Sequence, residues 1–224
     1  ERTRVAMKLT AILYLALLIV STAVAEDVTL VSFDPSDGPL PAWREMNDPV
    51  MGGESTGMFD VEEGMGIFSG EVVDVPFLKA PGFIKATTSG PFSDASSCKA
   101  LAITCRSLED YAGYKISFGR KRGRGCGFFS MGYKAPLDAP TSTDFETIVI
   151  PFDQFSDCND DATGLPIRTC EDDPRVCPNS KVLRNMGIIE VWGEGVAGQV
   201  HLEIQSIAAT DCQDDTDNEE LEES

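Results

Sequence analysis

From Phe33 onward, short apolar or alternating stretches are broken by Gly, Pro, Asp and Ser, and no long segment carries the 3.6-residue period of an amphipathic helix. The stretches are GIFSGEVV (66–73), GFIKATT (82–88), KALAITC (99–105), GYKISFG (113–119), GFFSMGYK (127–134), TIVIPF (147–152), GIIEVWG (187–193) and VHLEIQSI (200–207). Each has the length of a strand and is rich in β-branched or aromatic residues. The last alternates cleanly, with Val200, Leu202 and Ile204 on one face and His201, Glu203 and Gln205 on the other. Only SKVLRNM (180–186) predicts a short helical turn. Many short strands separated by turn signals predict an all-β, antiparallel sandwich.

Two segments break this rhythm. Residues 156–180 hold three of the seven cysteines and a dense set of acids in a stretch too long for an unsupported loop, which predicts an insertion stapled by disulfides. Residues 211–224 contain a single Leu among eight acids and cannot bury enough apolar surface to order themselves. They are expected to form a disordered acidic tail after a single domain spanning 26–210.

The amino-terminal pattern concerns targeting. Met7 and Lys8 precede an apolar run from Leu9 to Val20 and then Ala23-Val24-Ala25, the layout of a secretory signal peptide over 7–25, with residues 1–6 upstream of it. A membrane span needs ~20 apolar residues, so no membrane association is expected once the segment is cleaved. The secretory pathway or the extracellular space is the expected destination, with a mitochondrion or another organelle as the alternative. In such a compartment seven cysteines imply disulfides with one thiol left over, but the spacing leaves the pairing open. There is no Cys-x-x-Cys and His201 is the sole histidine, so no zinc site is expected.

Charge narrows the partners. With 37 acidic against 18 basic residues the formal charge is −19, which repels nucleic acid and anionic lipid surfaces. Against that background RKRGRG (120–125) is a basic island, suited to an anionic partner such as a sulfated glycan or to a solvated hairpin turn. DCNDDATGLPIR (157–168) begins like a calcium loop with Asp157, Asn159 and Asp161. It then has Ala162 where the tight-turn Gly belongs and Arg168 where the bidentate Glu belongs, which excludes an EF-hand. His201 belongs on an outer strand face without a nucleophile motif beside it, so no catalytic residues and no cofactor are expected.

WREMNDPVMGGES (43–55) has neither period and reads as a shaped, anchored loop. In one reading Trp43 offers a flat apolar surface while Asn47, Asp48 and Ser55 converge to hold a sugar or a peptide edge. In the other, Trp43 plugs the end of the sandwich, Asn47 and Asp48 satisfy loop amides, and Gly52 and Gly53 supply positive φ.

This stretch resembles the signature of the complex I intermediate-associated protein 30 kDa family, a Trp followed by Asn-Asp-x-Val-Met-Gly-Gly-x-Ser: here Trp43, Asn47, Asp48, Val50, Met51, Gly52, Gly53 and Ser55. Similarity continues in the family's order through FSG (68–70), GFIK (82–85), PFDQF (151–155) and GQVHLEIQSI (198–207). The resemblance implies a galactose-binding-like jelly roll and a non-catalytic, chaperone-like role, the mitochondrial members being assembly factors for respiratory complex I. It makes Trp43, Asn47, Asp48, Met51, Gly52, Gly53 and Ser55 the candidate binding residues. The partner is expected to be a protein of unspecified identity; the alternative is a secreted carbohydrate-binding module that takes a glycan on the same fold. An open ring face at Trp43 or Trp192 beside convergent polar groups favours the glycan, and burial of both favours the protein.

The export pattern predicts that amino-terminal sequencing of the native protein reads Glu-Asp-Val from Glu26. A first residue at Met7 contradicts it.

Overall fold

The computed structural model describes residues 26–48, 52–121, 123, 126–128 and 131–213. The expected signal segment, Val50 and Met51 of the signature, Arg122, Arg124 and Gly125 of the basic island, and residues 214–224 of the acidic tail lie outside the described residues.

Two antiparallel sheets form a jelly-roll sandwich. One is built from β1 (Val28–Ser32), β3 (Thr56–Glu62), β4 (Met65–Val72), β8 (Ala100–Ser107), β11 (Glu146–Pro151) and β13 (Gly198–Thr210). Its order is β11-β8-β13-β4-β3, with β1 joining the far half of β13 beyond the end of β4. The other contains β2 (Trp43–Asn47), β7 (Phe83–Ser89), β9 (Tyr114–Phe118), β10 (Tyr133–Pro136) and β12 (Ile188–Glu194), in the order β10-β9-β12-β7-β2. A small hairpin, β5 (Asp74–Val75) with β6 (Ala80–Pro81), one short α-helix, α1 (Ser180–Leu183), and two 3-10 turns, Phe152–Gln154 and Pro174–Val176, complete the elements among the described residues.

The core lies between the sheets, where Phe33, Phe68, Ile84, Ile103, Ile116, Leu202, Ile204 and Ile207 are fully buried. Burying each such side chain contributes about 1.5–3 kcal/mol, which sets the facing of both sheets. In β13, Val200, Leu202 and Ile204 point inward as the alternation requires. A bulge between Ile204 and Ser206 then shifts the phase, so that Ile207 and Ala209 continue the buried face.

The local pattern locates β4, β7, β8, β9, β11, β12 and β13 closely. In GFFSMGYK, whose Phe129 and Ser130 lie outside the described residues, the Gly132 N–H donates to the Lys121 carbonyl at 2.8 Å and the ladder starts at Tyr133. The loop reading of the signature needs correction. Trp43–Asn47 is edge strand β2, paired along its whole length with Thr88–Ile84 of β7. Its exposed Arg44, Glu45 and Met46 hide the period that an interior strand shows.

The five-stranded sheet differs from an ordinary sandwich sheet in one respect. Every residue of β9 and β12 is buried, on the outer as well as the inner face. Residues 156–180 extend the sheet beside β10 and cover its outer face at the Glu194 end. Ser156 and Lys134 exchange backbone hydrogen bonds at 2.9 and 3.1 Å, and Gly164 sits so close to Glu194 that a Cβ there would strike its carboxylate.

Three disulfides hold the arrangement: Cys98–Cys212, Cys126–Cys158 and Cys170–Cys177. The first spans 114 residues and ties the end of β13 to the segment before β8. In the chain-entropy account a loop of that size stabilises by about 5 kcal/mol. The second anchors the insertion to the segment after β9, and the third closes a loop within the insertion. Cys105 is the free thiol; it is buried, and desolvation, with Glu146 adding to it, pushes its pKa up to about 12. No helix among the described residues is long and apolar enough to cross a membrane.

The pairing sets a thiol count. Alkylation of the non-reduced native protein should label no cysteine, unfolding without reductant should expose one, and reduction should expose all seven. Mass spectrometry of the alkylated protein reads all three states, and labelling of the native chain at Cys105 contradicts its burial.

A charged cleft as the candidate functional site

The signature residues gather at one end of the sandwich, where they act on the backbone. Trp43 turns toward the core and stacks on Phe59, with ring centroids 4.2 Å apart and 14° between planes, and less closely on Phe33 at 6.1 Å. Asn47 Nδ2 donates to the Gly57 carbonyl at 3.3 Å. The buried Asp48 accepts from Ser55 Oγ at 3.2 Å, and Ser55 Oγ accepts from the Val73 N–H at 3.1 Å. A Cβ on either Gly53 or Gly82 would fall inside the Asp48 carboxylate, so both glycines make room for it. Gly52 has φ +77°, the left-handed region. The structure thus brings Asn47, Asp48, Gly53 and Ser55 together in a latch joining β2, β3 and the segment after β4, and sends Trp43 inward; Met51 lies outside the described residues.

The side chains that converge toward solvent lie elsewhere, on the outer face of the five-stranded sheet. A cleft of about 570 Å³ opens there, lined among others by Arg44, Met46, Lys85, Thr87, Arg120 and Glu190. Strand register makes them neighbours: Arg44 and Glu190 both pair with Thr87, and Met46 and Trp192 both pair with Lys85.

Glu190 centres the floor. Its Oε1 accepts from Lys85 Nζ at 2.8 Å and Thr87 Oγ1 at 2.9 Å, while Oε2 accepts from Ser117 Oγ at 3.2 Å. Ser117 Oγ in turn accepts from Trp192 Nε1 at 2.9 Å. Two ammonium groups flank the indole, Lys85 Nζ at 4.3 Å and Lys134 Nζ at 3.6 Å from the ring centroid, and Lys134 pairs with Glu194 at 2.5 Å. Desolvated contacts of this kind contribute about 2 kcal/mol each. Burial lowers the pKa of neighbouring Lys115, and Lys134 pushes in the same direction, against the pull of Glu194. The result is a preorganised polar surface whose charges hold one another. Such a surface can bond a ligand's polar groups without reorganising.

Trp192 is 5% exposed and Trp43 is half-buried, so neither presents an open ring face, although both contribute to the cleft wall. The basic island divides: Arg120 lines the cleft, and Lys121 pairs with buried Asp157 at 3.0 Å. That ammonium occupies the start of the calcium-like stretch, and Asn159 Nδ2 is committed to the Ser156 carbonyl at 2.7 Å. Among the described residues no cluster of three or more His, Cys, Asp or Glu is arranged to hold a metal ion. His201 lies on the outer face of the other sheet, 3.2 Å from Glu203.

Sequence reasoning names Trp192 only as a ring whose exposure would favour a glycan, and passes over Lys85, Thr87 and Glu190. Their signal is present, polar residues alternating with buried Ala86 and Val191 in GFIKATT and GIIEVWG, but it does not say that the two strands adjoin.

The architecture is an antiparallel jelly roll of the galactose-binding-like fold, with a cleft on the outer face of one sheet. Several solved structures share the fold, among them two carbohydrate-binding modules. A family 11 carbohydrate-binding module from Clostridium thermocellum, in complex with a β-1,3-1,4-mixed-linked tetrasaccharide, is 15% identical, with 85% of this chain and 99% of that one covered at a TM-score of 0.54. The family 11 module of the cellulosomal cellulase Lic26A-Cel5E from the same organism is also 15% identical, covering 85% and 98% at 0.52. No curated protein matches the chain in sequence. The chain belongs to the Complex I intermediate-associated protein 30 (CIA30) family, whose pattern matches residues 31–188.

The latch makes a coupled prediction. Gly53→Ala should destabilise by about 1–3 kcal/mol through overpacking against Asp48, and Asp48→Ala by about 1–3 kcal/mol through the lost buried hydrogen bond. The double variant should lose clearly less than the sum, because without the carboxylate the new methyl has space. Urea unfolding of the three variants measures this, and strict additivity contradicts the steric relation.

Proposed function

We propose that this chain is a non-catalytic interaction domain, an exported member of its family, which holds a protein partner in assembly-factor fashion at the outer face of the five-stranded sheet. The observation that carries this reading is the family match over residues 31–188, because the family is described by its association with an intermediate. The cleft supports a binding role: its Lys85 and Glu190 neutralise each other, which orders a surface and leaves no free acid-base pair between them. Three disulfides support an oxidising compartment and agree with the export pattern over 7–25.

One observation favours a saccharide as the occupant. The cleft volume of about 570 Å³ lies within the range of small-ligand sites, and its floor carries hydroxyl, carboxylate and ammonium groups in fixed positions. The fold shared with the family 11 modules is compatible with this but shows the architecture alone.

Affinity capture from the source organism tests the leading reading. The bait is the full chain beside Thr87→Arg, which fills the cleft, and Met58→Arg, which places the same charge on the exposed face of the other sheet. Wild type and Met58→Arg are expected to retain the same proteins and Thr87→Arg to lose them at unchanged melting temperature. Equal capture by all three, or none by any, overturns a protein partner in the cleft.

A further inference from the structure

The charge of the cleft runs against the charge of the chain. Acids outnumber bases 37 to 18, so an arginine at a random surface position finds an acidic neighbour readily. Arg44 and Arg120 line the cleft, both are exposed, and neither forms an ion pair among the described residues. The acids nearby are already engaged. Glu190 is held by Lys85, Thr87 and Ser117, and Glu45, which also lines the cleft, accepts from the Phe59 N–H at 3.1 Å. Two unpaired guanidiniums therefore remain in a concave site, where low-dielectric walls strengthen their pull on an anion.

We propose that the cleft binds an acidic oligosaccharide, one whose sugar units carry carboxylate or sulfate groups. The inference rests on the saccharide reading of the cleft and adds its charge. Arg44 and Arg120 clasp the anionic groups from opposite walls, since a guanidinium fork matches a carboxylate or sulfate with two parallel hydrogen bonds. Thr87 and Glu190 on the floor meet hydroxyls, and the exposed Met46 and Met131 at the rim offer apolar contact to the C–H faces of the sugar rings. Arg44 belongs to β2 and Arg120 follows β9 by two residues, three strand positions away. At about 4.8 Å per strand the two backbones are about 14 Å apart, which calls for an oligomer rather than a single sugar.

The floor offers no backbone edge to an extended peptide strand, so any occupant, sugar or protein, is held by side chains. Its strands are interior or fully paired on the cleft side, so their N–H and C=O groups are spent in the sheet and only side chains face the ligand. An extended peptide recognised by its backbone needs an open strand edge, whereas a sugar's hydroxyls need side-chain donors and acceptors.

Isothermal titration of the secreted full chain decides the matter. The probes are an oligouronate of about six units, a sulfated oligosaccharide of equal length, a neutral mixed-linkage β-glucan oligosaccharide and an oligoglutamate peptide. Binding of either acidic saccharide at least tenfold tighter than the neutral sugar and the peptide supports the proposal. Arg44→Gln and Arg120→Gln should each weaken it about tenfold, equivalent to about 1.4 kcal/mol, with unchanged melting temperature, and Arg44→Lys should restore part of the loss. Equal binding of the neutral sugar, unaffected by the Arg variants, overturns the charge assignment and leaves the saccharide reading standing. Equal binding of oligoglutamate overturns saccharide selection and returns the cleft to a protein partner. Binding of no saccharide overturns both the inference and the reading beneath it.

Discussion

Burial of the five-stranded sheet on both faces is the constraint from which the rest of the site follows. With the outer sides of β9 and β12 buried, polar residues there lose water and must find partners inside the protein. Lys85 with Glu190 and Lys134 with Glu194 are the answer, with Trp192 between the two ammoniums. Pairs of this kind add little net stability, yet losing one member leaves a buried charge at a cost of about 3–5 kcal/mol. The covered half of the sheet is therefore rigid in its chemistry. The uncovered half, between β12 and edge strand β2, is the cleft, and it inherits a floor whose side chains are already fixed.

Fold and family place different demands on the same molecule. The signature shared with the family is spent at the sandwich end, where Asp48 sits under Gly53 and Gly82 and Trp43 stacks on Phe59. Such an arrangement holds the edge strand in register and thereby shapes one wall of the cleft without touching a ligand. The same strand also lines the cleft with Trp43, Arg44, Glu45 and Met46, while Lys85, Arg120 and Glu190 reach it from other strands and loops.

The disulfides connect these parts. Cys126–Cys158 ties the segment that carries the basic island to the start of the insertion, so the wall bearing Arg120 and the cover over Glu194 are tethered to each other. Reduction of Cys126–Cys158 would open that tether, so the disulfide is tied to the geometry of the site as well as to stability.

Period-two alternation and β-branched content are local, so the sequence by itself determined the class of fold, the places of β7, β8, β12 and β13, and, by the parity of seven cysteines, that a thiol would be left over. Its family resemblance rested on contiguous residues and was equally legible. Tertiary structure decided what depends on distant partners. Trp43–Asn47 became a strand because β7, about forty residues later, supplied the ladder to an otherwise exposed stretch. Lys85 met Glu190 across 105 residues, and Arg120 left its basic island to face Arg44 across the cleft. Strand order brings these groups together. No local pattern encodes it, because many orders bury the same apolar faces equally well.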